Sequence, residues 1–156
     1  MASGTFTLYS SNKNHINNSD LVGATIKIAL VTSSYTPNSN QAGESLWATI
    51  STNEIANGNG YTTGGASLAS LASNADTTDS PQGYYFTSAS PAWTASGGNI
   101  PAWRYAVMYV SGSLWGMTNP LVGYFIGDST PADIPATSSG NTLTLNTPTN
   151  GWFKTT

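Results

Sequence analysis

The chain has 156 residues, of which only 7% are charged; its net charge is −3, and it has no cysteine and a single histidine. Its four cations, Lys13, Lys27, Arg104 and Lys154, are dispersed and build no basic patch, which argues against nucleic acid as a partner, and the lack of Cys removes disulfides, thiolate nucleophiles and thiolate metal sites together. Ser, Thr, Asn and Gly stand where Lys and Glu usually do, so helix is disfavoured, while an 11% aromatic content indicates an ordered, β-rich domain.

Thr5 to Asn18 reads either as an amphipathic helix, with Phe6, Leu8, Tyr9 and Ile16 on one side, or as an extended arm; we take the helix. Met1 to Ser11 has neither a charged n-region nor an apolar h-region, and the chain has no apolar run of about 18 residues, so we expect synthesis and folding in the cytoplasm. Thr25 to Val31 alternates Ile26, Ile28 and Leu30 with Thr25, Lys27 and Ala29, the pattern of a strand with one face buried. Ser33 to Gly43 is a surface loop. Leu46, Trp47, Ile50, Glu54 and Ile55 recur at roughly helical spacing and predict a short helix that stops at Asn57-Gly58-Asn59-Gly60.

A strand around Ala66, Leu68 and Leu71 follows Gly64-Gly65, then a loop over Asp76 to Gly83, and short strands at Tyr84 to Ser88 and Pro91 to Ala95. The centre of the chain is the apolar run Trp103 to Val110, preceded by Ile100-Pro-Ala. It predicts a strand buried on both sides, with Trp103, Tyr105, Val107 and Tyr109 facing one way and Arg104, Ala106, Met108 and Val110 the other. Ser111 to Asn119 is a loop that holds Trp115, and Leu121 to Gly127 is a second apolar strand, expected to pair antiparallel with the first. Beyond a turn-rich stretch at Asp128 to Gly140, Thr142 to Asn146 alternates Thr with Leu, and Asn150-Gly151 signals a hairpin returning through Trp152 to Lys154. The expected fold is mainly β, one domain over residues 1–156 with residues 1–20 as an N-terminal arm or helix. Some seven strands would form an antiparallel β-sandwich or open barrel in meander order, with one or two short helices at its edge.

Catalytic chemistry finds little to use. His15 would have to serve any Ser-His-Asp arrangement, yet no Gly-x-Ser-x-Gly elbow is present, so it reads as a surface or interface imidazole. Glu44, Glu54, Asp76, Asp79, Asp128 and Asp133 sit mostly in predicted loops, where carboxylates shape turns. Asp76-Thr-Thr-Asp79 lacks the spacing of a calcium loop and reads as a solvated turn, and neither Gly64-Gly65 nor Gly97-Gly98 continues into a phosphate loop. We expect no catalytic residues, no metal and no cofactor. The aromatics hold the functional promise: Tyr84, Tyr85, Trp93 and Trp115 either fill a core or form an interaction surface, with Trp93 the one assigned to the core. The candidate interface comprises Phe6, Tyr9, His15, Tyr84, Tyr85 and Trp115.

Five blocks, in order, carry a resemblance: Thr25-Ile-Lys-Ile-Ala-Leu-Val-Thr-Ser-Ser-Tyr-Thr-Pro-Asn38; Asn53-Glu-Ile with Gly60-Tyr-Thr-Thr-Gly-Gly-Ala66; Trp93-Thr-Ala; Arg104-Tyr-Ala-Val-Met-Tyr109; and Pro120-Leu-Val-Gly-Tyr124. Together they resemble a family of small structural proteins encoded by tailed bacteriophages, over roughly residues 8 to 127. The resemblance implies a non-enzymatic virion component, a decoration or cement protein on the capsid exterior. Its implied partners are the major capsid protein and copies of itself, with a trimer as the leading oligomer, and no nucleic acid or membrane. The chain departs from the family in longer Pro- and Ser-rich loops at Ser111 to Asn119 and Asp128 to Gly140, so the family's oligomeric contacts do not carry over, and Ala2 to Asn18 and the Trp115 loop are the candidate contacts. A tail or neck adhesion module and a carbohydrate-binding sandwich are the alternatives.

Overall fold

The computed structural model describes residues 5–38, 40–78, 82–128 and 132–156. Asp79, the first residues of the N-terminal stretch and part of the turn-rich stretch after Asp128, all read above, lie outside them. The described chain is mainly β, with twelve strands, one short helix and several antiparallel sheets, none closed into a barrel, an arrangement compatible with a β-sandwich. No helix among the described residues is long and apolar enough to cross a membrane.

The organising sheet has five strands. β1 (Phe6–Leu8), β2 (Ile26–Val31), β3 (Ala66–Ser67), β7 (Tyr105–Val110) and β10 (Leu121–Ile126) lie in the order β1-β10-β7-β2-β3. β7 is its middle strand, antiparallel to β10 as expected and antiparallel to β2 on its other side, with Ile28 opposite Met108 and Ala29 opposite Val107. Both faces are buried. Ile26, Ile28, Leu30, Ala106, Met108 and Val110 enter one apolar cluster, and Ala29, Val31, Val107 and Tyr109 enter another with Tyr9, Tyr35, Trp47 and Leu121. An interior strand covered on both sides keeps little solvent face, so β2 carries Ala29 and Val31 on its second side, leaves only Lys27 partly exposed, and departs from one-sided burial. The register slips between Leu121 and Gly123, and a Cβ on Gly123 would stand 2.4 Å from the Phe6 ring, so the missing side chain is the seat for that phenyl.

A second sheet orders β12 (Phe153–Thr155), β5 (Gly83–Thr87) and β4 (Ala72–Asp76), and β6 (Ala92–Thr94) pairs with β11 (Thr142–Thr144). β8 (Ser113–Leu114) and β9 (Met117–Thr118) form a small hairpin. The topology is therefore no meander: the last strand joins the fifth, and the first joins the tenth. Asn150-Gly151 does turn the chain, with Gly151 at φ 70° and its N–H bonded to Pro148, but Trp152 N–H then goes to Phe86 O and delivers the chain to β5 instead of back to β11.

Three further expectations are corrected. Thr5 to Asn18 holds β1 and a run of turns, and the α-helix, α1, comes later at Asn18–Val22, where Asn17 caps it by accepting from Ser19 N–H. Residues 46–55 form two 3₁₀ turns, Trp47–Thr49 and Ser51–Asn53, because Ser, Thr and Asn support an α-helix poorly while apolar spacing of three suits the tighter turn. Trp103 packs with Ala106 and Met108 rather than Val107, since regular alternation begins only at Tyr105 and Trp103 is bridged to Ile134 outside the strand.

Candidate interaction surface

The turn after β1 is fixed by one buried amide. Asn12 Nδ2 donates to Ser45 O at 2.7 Å and Leu121 O at 2.9 Å, pinning residues 9–15 to the sheet and delivering the chain to α1. Asn18, 4% exposed, donates from Nδ2 to Tyr84 O at 3.0 Å and locks α1 onto β4 and β5. Between α1 and the end of β12 lies a groove of about 620 Å³ lined by Ile16, Asn17, Ser73, Tyr84 and Thr155 among others. A smaller hollow of about 180 Å³ shares Ile16 and Thr155 with it and adds Leu8, Lys13 and Lys154. The groove wall is thus amide and hydroxyl chemistry beside one exposed aromatic, while Lys13 and the Asp76-paired Lys154 line the neighbouring hollow.

The six candidate interface residues do not form one patch. Tyr84 is 55% exposed and stands over the groove. On the other side of α1, His15 is exposed and its ring stacks on Trp115 at 6.0 Å, while Trp115 Nε1 donates to Asp20 Oδ2 at 3.0 Å. Trp115 has φ 54° and Gly116 φ 74°, the two left-handed positions of the tight turn joining β8 and β9. A tryptophan there carries roughly 1–2 kcal/mol of backbone cost, and its indole is held by groups from α1 and the N-terminal turn. Phe6 is half-buried, stacked on Phe153 and tilted against Trp152. Tyr85 is half-buried on the face opposite Tyr84, with Lys154 Nζ 5.8 Å from its ring. Tyr9 is a correction: at 1% exposure it belongs to the core, its hydroxyl shares a hydrogen bond of 2.9 Å with Tyr35, and burial raises the phenol far above its ordinary value. Trp93, assigned to the core, is 5% exposed.

Asn18 and Asp20 organise this corner, and neither stood out in the sequence. The available signal was Asn17-Asn18-Ser19-Asp20, a run of capping residues before Leu21 and Val22.

The carboxylates are engaged separately. Glu54 Oε1 accepts from Tyr61 Oη at 2.6 Å and Gly64 N–H at 2.7 Å; Asp133 pairs with Arg104 at 2.8 Å; Glu44 accepts from Asn38 N–H at 3.3 Å. Asp76 is no solvated turn. It is 4% exposed, accepts from Thr78 N–H and Oγ1 at 2.9 Å each, and is ion-paired to Lys154 across β5. Among the described residues no three His, Asp or Glu gather at one place. Such an arrangement can bind through shape, hydrogen bonds and aromatic faces. Comparison with family models, with curated proteins and with solved structures finds no match, so the reading of this surface rests on its own residues.

Proposed function

We propose that this chain is a non-enzymatic structural protein of a tailed-phage virion, a decoration or cement protein on the head exterior that contacts the major capsid protein and further copies of itself. The observation that carries the reading is how the five resembling blocks meet. Thr25–Asn38, Arg104–Tyr109 and Pro120–Tyr124 contribute the adjacent strands β2, β7 and β10. The remaining two dock on them: Tyr61 Oη accepts from Leu30 N–H at 3.0 Å and donates to Glu54, Tyr109 Oη donates to Gly64 O at 2.9 Å, and Trp93 lies 6.0 Å from the Tyr61 ring. Blocks scattered over a hundred residues thus form one packed unit, as a shared fold would require. The engagement of Asp20, Glu44, Glu54, Asp76 and Asp133 in separate structural contacts agrees with a scaffold.

The test uses particles lacking this protein. Lower resistance to heat or low ionic strength than wild type, restored by adding the purified chain, is expected, because a subunit that binds only the assembled shell shifts the equilibrium toward it. Equal resistance, with antibody labelling on the tail, would overturn the head assignment.

The groove beneath Tyr84 favours a second reading, an adhesion module for neutral glycans, since an aromatic face beside uncharged amides and hydroxyls matches sugar C–H and O–H groups. Binding on a glycan array that Tyr84→Ala abolishes would support it.

A further inference from the structure

The sheet formed by β6 and β11 has an open edge. Ala95 N–H donates to Asn141 O at 2.8 Å and Leu145 N–H to Pro91 O at 3.0 Å, and Leu143 lies opposite Trp93. In an antiparallel ladder hydrogen-bonded residues alternate, so residues 141, 143 and 145 bond inward to β6, while Thr142 and Thr144 turn their N–H and C=O away from it. Among the described residues no element pairs with β11 on that outer side. Thr142, Thr144 and Asn146 are exposed, and Leu143 and Leu145 point back toward the core.

Natural edge strands are normally protected by shortness, a charge, a proline or a bulge. β11 is three residues long and follows a bulge where Gly140, at φ 88°, and Asn141 both bond Ala95, but it carries no charge and no proline, and its register with β6 is regular from Thr142 to Thr144. There is no charged residue from Gln82 to Trp103 or from Ile134 to Phe153, so both strands of this sheet come from uncharged chain. That matters for one partner above others. When a surface meets its own copy across a two-fold axis, each charge near the axis faces a like charge, and a neutral edge removes that repulsion. The three strand residues Thr142-Leu143-Thr144 also read the same in both directions.

We infer that β11 is a self-association edge, pairing antiparallel with β11 of a second copy about an axis at Leu143 to make a continuous four-stranded sheet. Thr142 then lies opposite Thr144 of the other copy, the two residues exchange both N–H···O bonds in each pair, and the facing Thr side chains form a favourable cross-strand pair. The contact is short and therefore weak in free solution, and it gains strength where many copies are held side by side. The inference deepens the self-association element of the virion reading, yet it is tested on free protein, so either can fail without the other.

The experiment is sedimentation velocity of the full chain across a concentration series, with amide hydrogen exchange. Wild type should show a concentration-dependent dimer and slowed exchange at Thr142 and Thr144 as concentration rises. Thr144→Pro removes an outward N–H without touching an inward bond, and Thr144→Lys sets like charges against one another; each should weaken the dimer about tenfold or more. Circular dichroism checks that each variant is folded, and the lysine variant decides if the proline variant is not. A monomer at all concentrations, or a dimer or trimer indifferent to a folded Thr144 variant, would overturn the assignment.

Discussion

Removing one oxygen atom tests the structural unit on which the functional reading rests. Tyr61 is 2% exposed, and its hydroxyl donates to Glu54 Oε1 and accepts from Leu30 N–H near the end of β2. Tyr61→Phe keeps the ring and its contact with Trp93 but removes both bonds. A hydrogen bond to a charged acceptor contributes about 1.5–3 kcal/mol, and stranding the Leu30 N–H inside the protein costs roughly another 1–3. A net loss of about 3 kcal/mol is therefore expected, a large part of the roughly 5–15 kcal/mol that holds a domain folded. At about 2–4 °C per kcal/mol for a chain of this size, the Tm should fall by roughly 6–12 °C. Urea unfolding of wild type, Tyr61→Phe, Glu54→Ala and the double variant completes a cycle, in which the two residues should couple by about 1 kcal/mol or more. A loss below about 1 kcal/mol for Tyr61→Phe, with additive double-variant behaviour, would refute the claim that this hydroxyl ties the segments together.

Alkaline pH should destabilise the protein. Burial is the leading cause that raises the phenols of Tyr9, Tyr35 and Tyr61, and it pushes Tyr109 up to about 12, so the folded state keeps protons that the unfolded chain releases from about pH 10. Stability from these groups is complete below pH 10 and falls above it, by about 1.4 kcal/mol per pH unit for each phenol still protonated when folded; a flat urea midpoint from pH 9 to 11 would contradict this. Gly65→Ala should unfold the protein, because φ is 74° and the new Cβ would stand 2.0 Å from Ile28 O, whereas Gly97→Ala, with φ 77° but open space around it, should cost only about 1–2 kcal/mol; equal melting curves would show that backbone conformation alone decides. Lys154→Met leaves the Asp76 carboxylate buried without its ammonium partner and should cost about 3 kcal/mol, most of it recovered by adding Asp76→Leu; chemical denaturation of the three variants measures it.

The parts of the fold that were legible in the sequence are those determined locally. β2, β7 and β10 announce themselves as apolar runs, and their burial follows from having no polar face to expose. Strand order does not, because it depends on pairings between distant segments: β12 joins β5, and β1 joins β10, through contacts that no neighbouring residues encode. The Asn150-Gly151 pair shows the same limit. It specifies a turn, and the turn forms, but the partner that receives the returning chain is chosen by Phe86 and Phe153 stacking at 5.2 Å. The N-terminal helix was misplaced because Phe6, Leu8 and Ile16 are apolar for three unrelated reasons: a seat over Gly123, a place in an edge strand, and a groove wall.

Exposure was less legible still, and the tyrosines explain why. Tyr9 and Tyr84 both stand in short polar-flanked segments, yet one is buried beneath Tyr35 and the other stands open, and only the three-dimensional path of the Asn12 and Asn18 amides decides between them. Those amides also resolve the puzzle of a surface with so few charges. Asn17 caps α1, Asn57 accepts from Thr63, Asn59 donates to Asn99 O while Asn99 accepts from Ser139, and Asn119 accepts from Gly112. Asn59 and Asn119 in addition occupy left-handed backbone at φ 55° and 50°, which asparagine tolerates better than most residues. Loops fixed by short amides present a neutral, hydrogen-bonding exterior, so contacts made by it owe little to charge and are screened little by salt. A protein whose surface is built this way gains specificity from shape and unpaired backbone, and edges such as β11 are where that backbone is available.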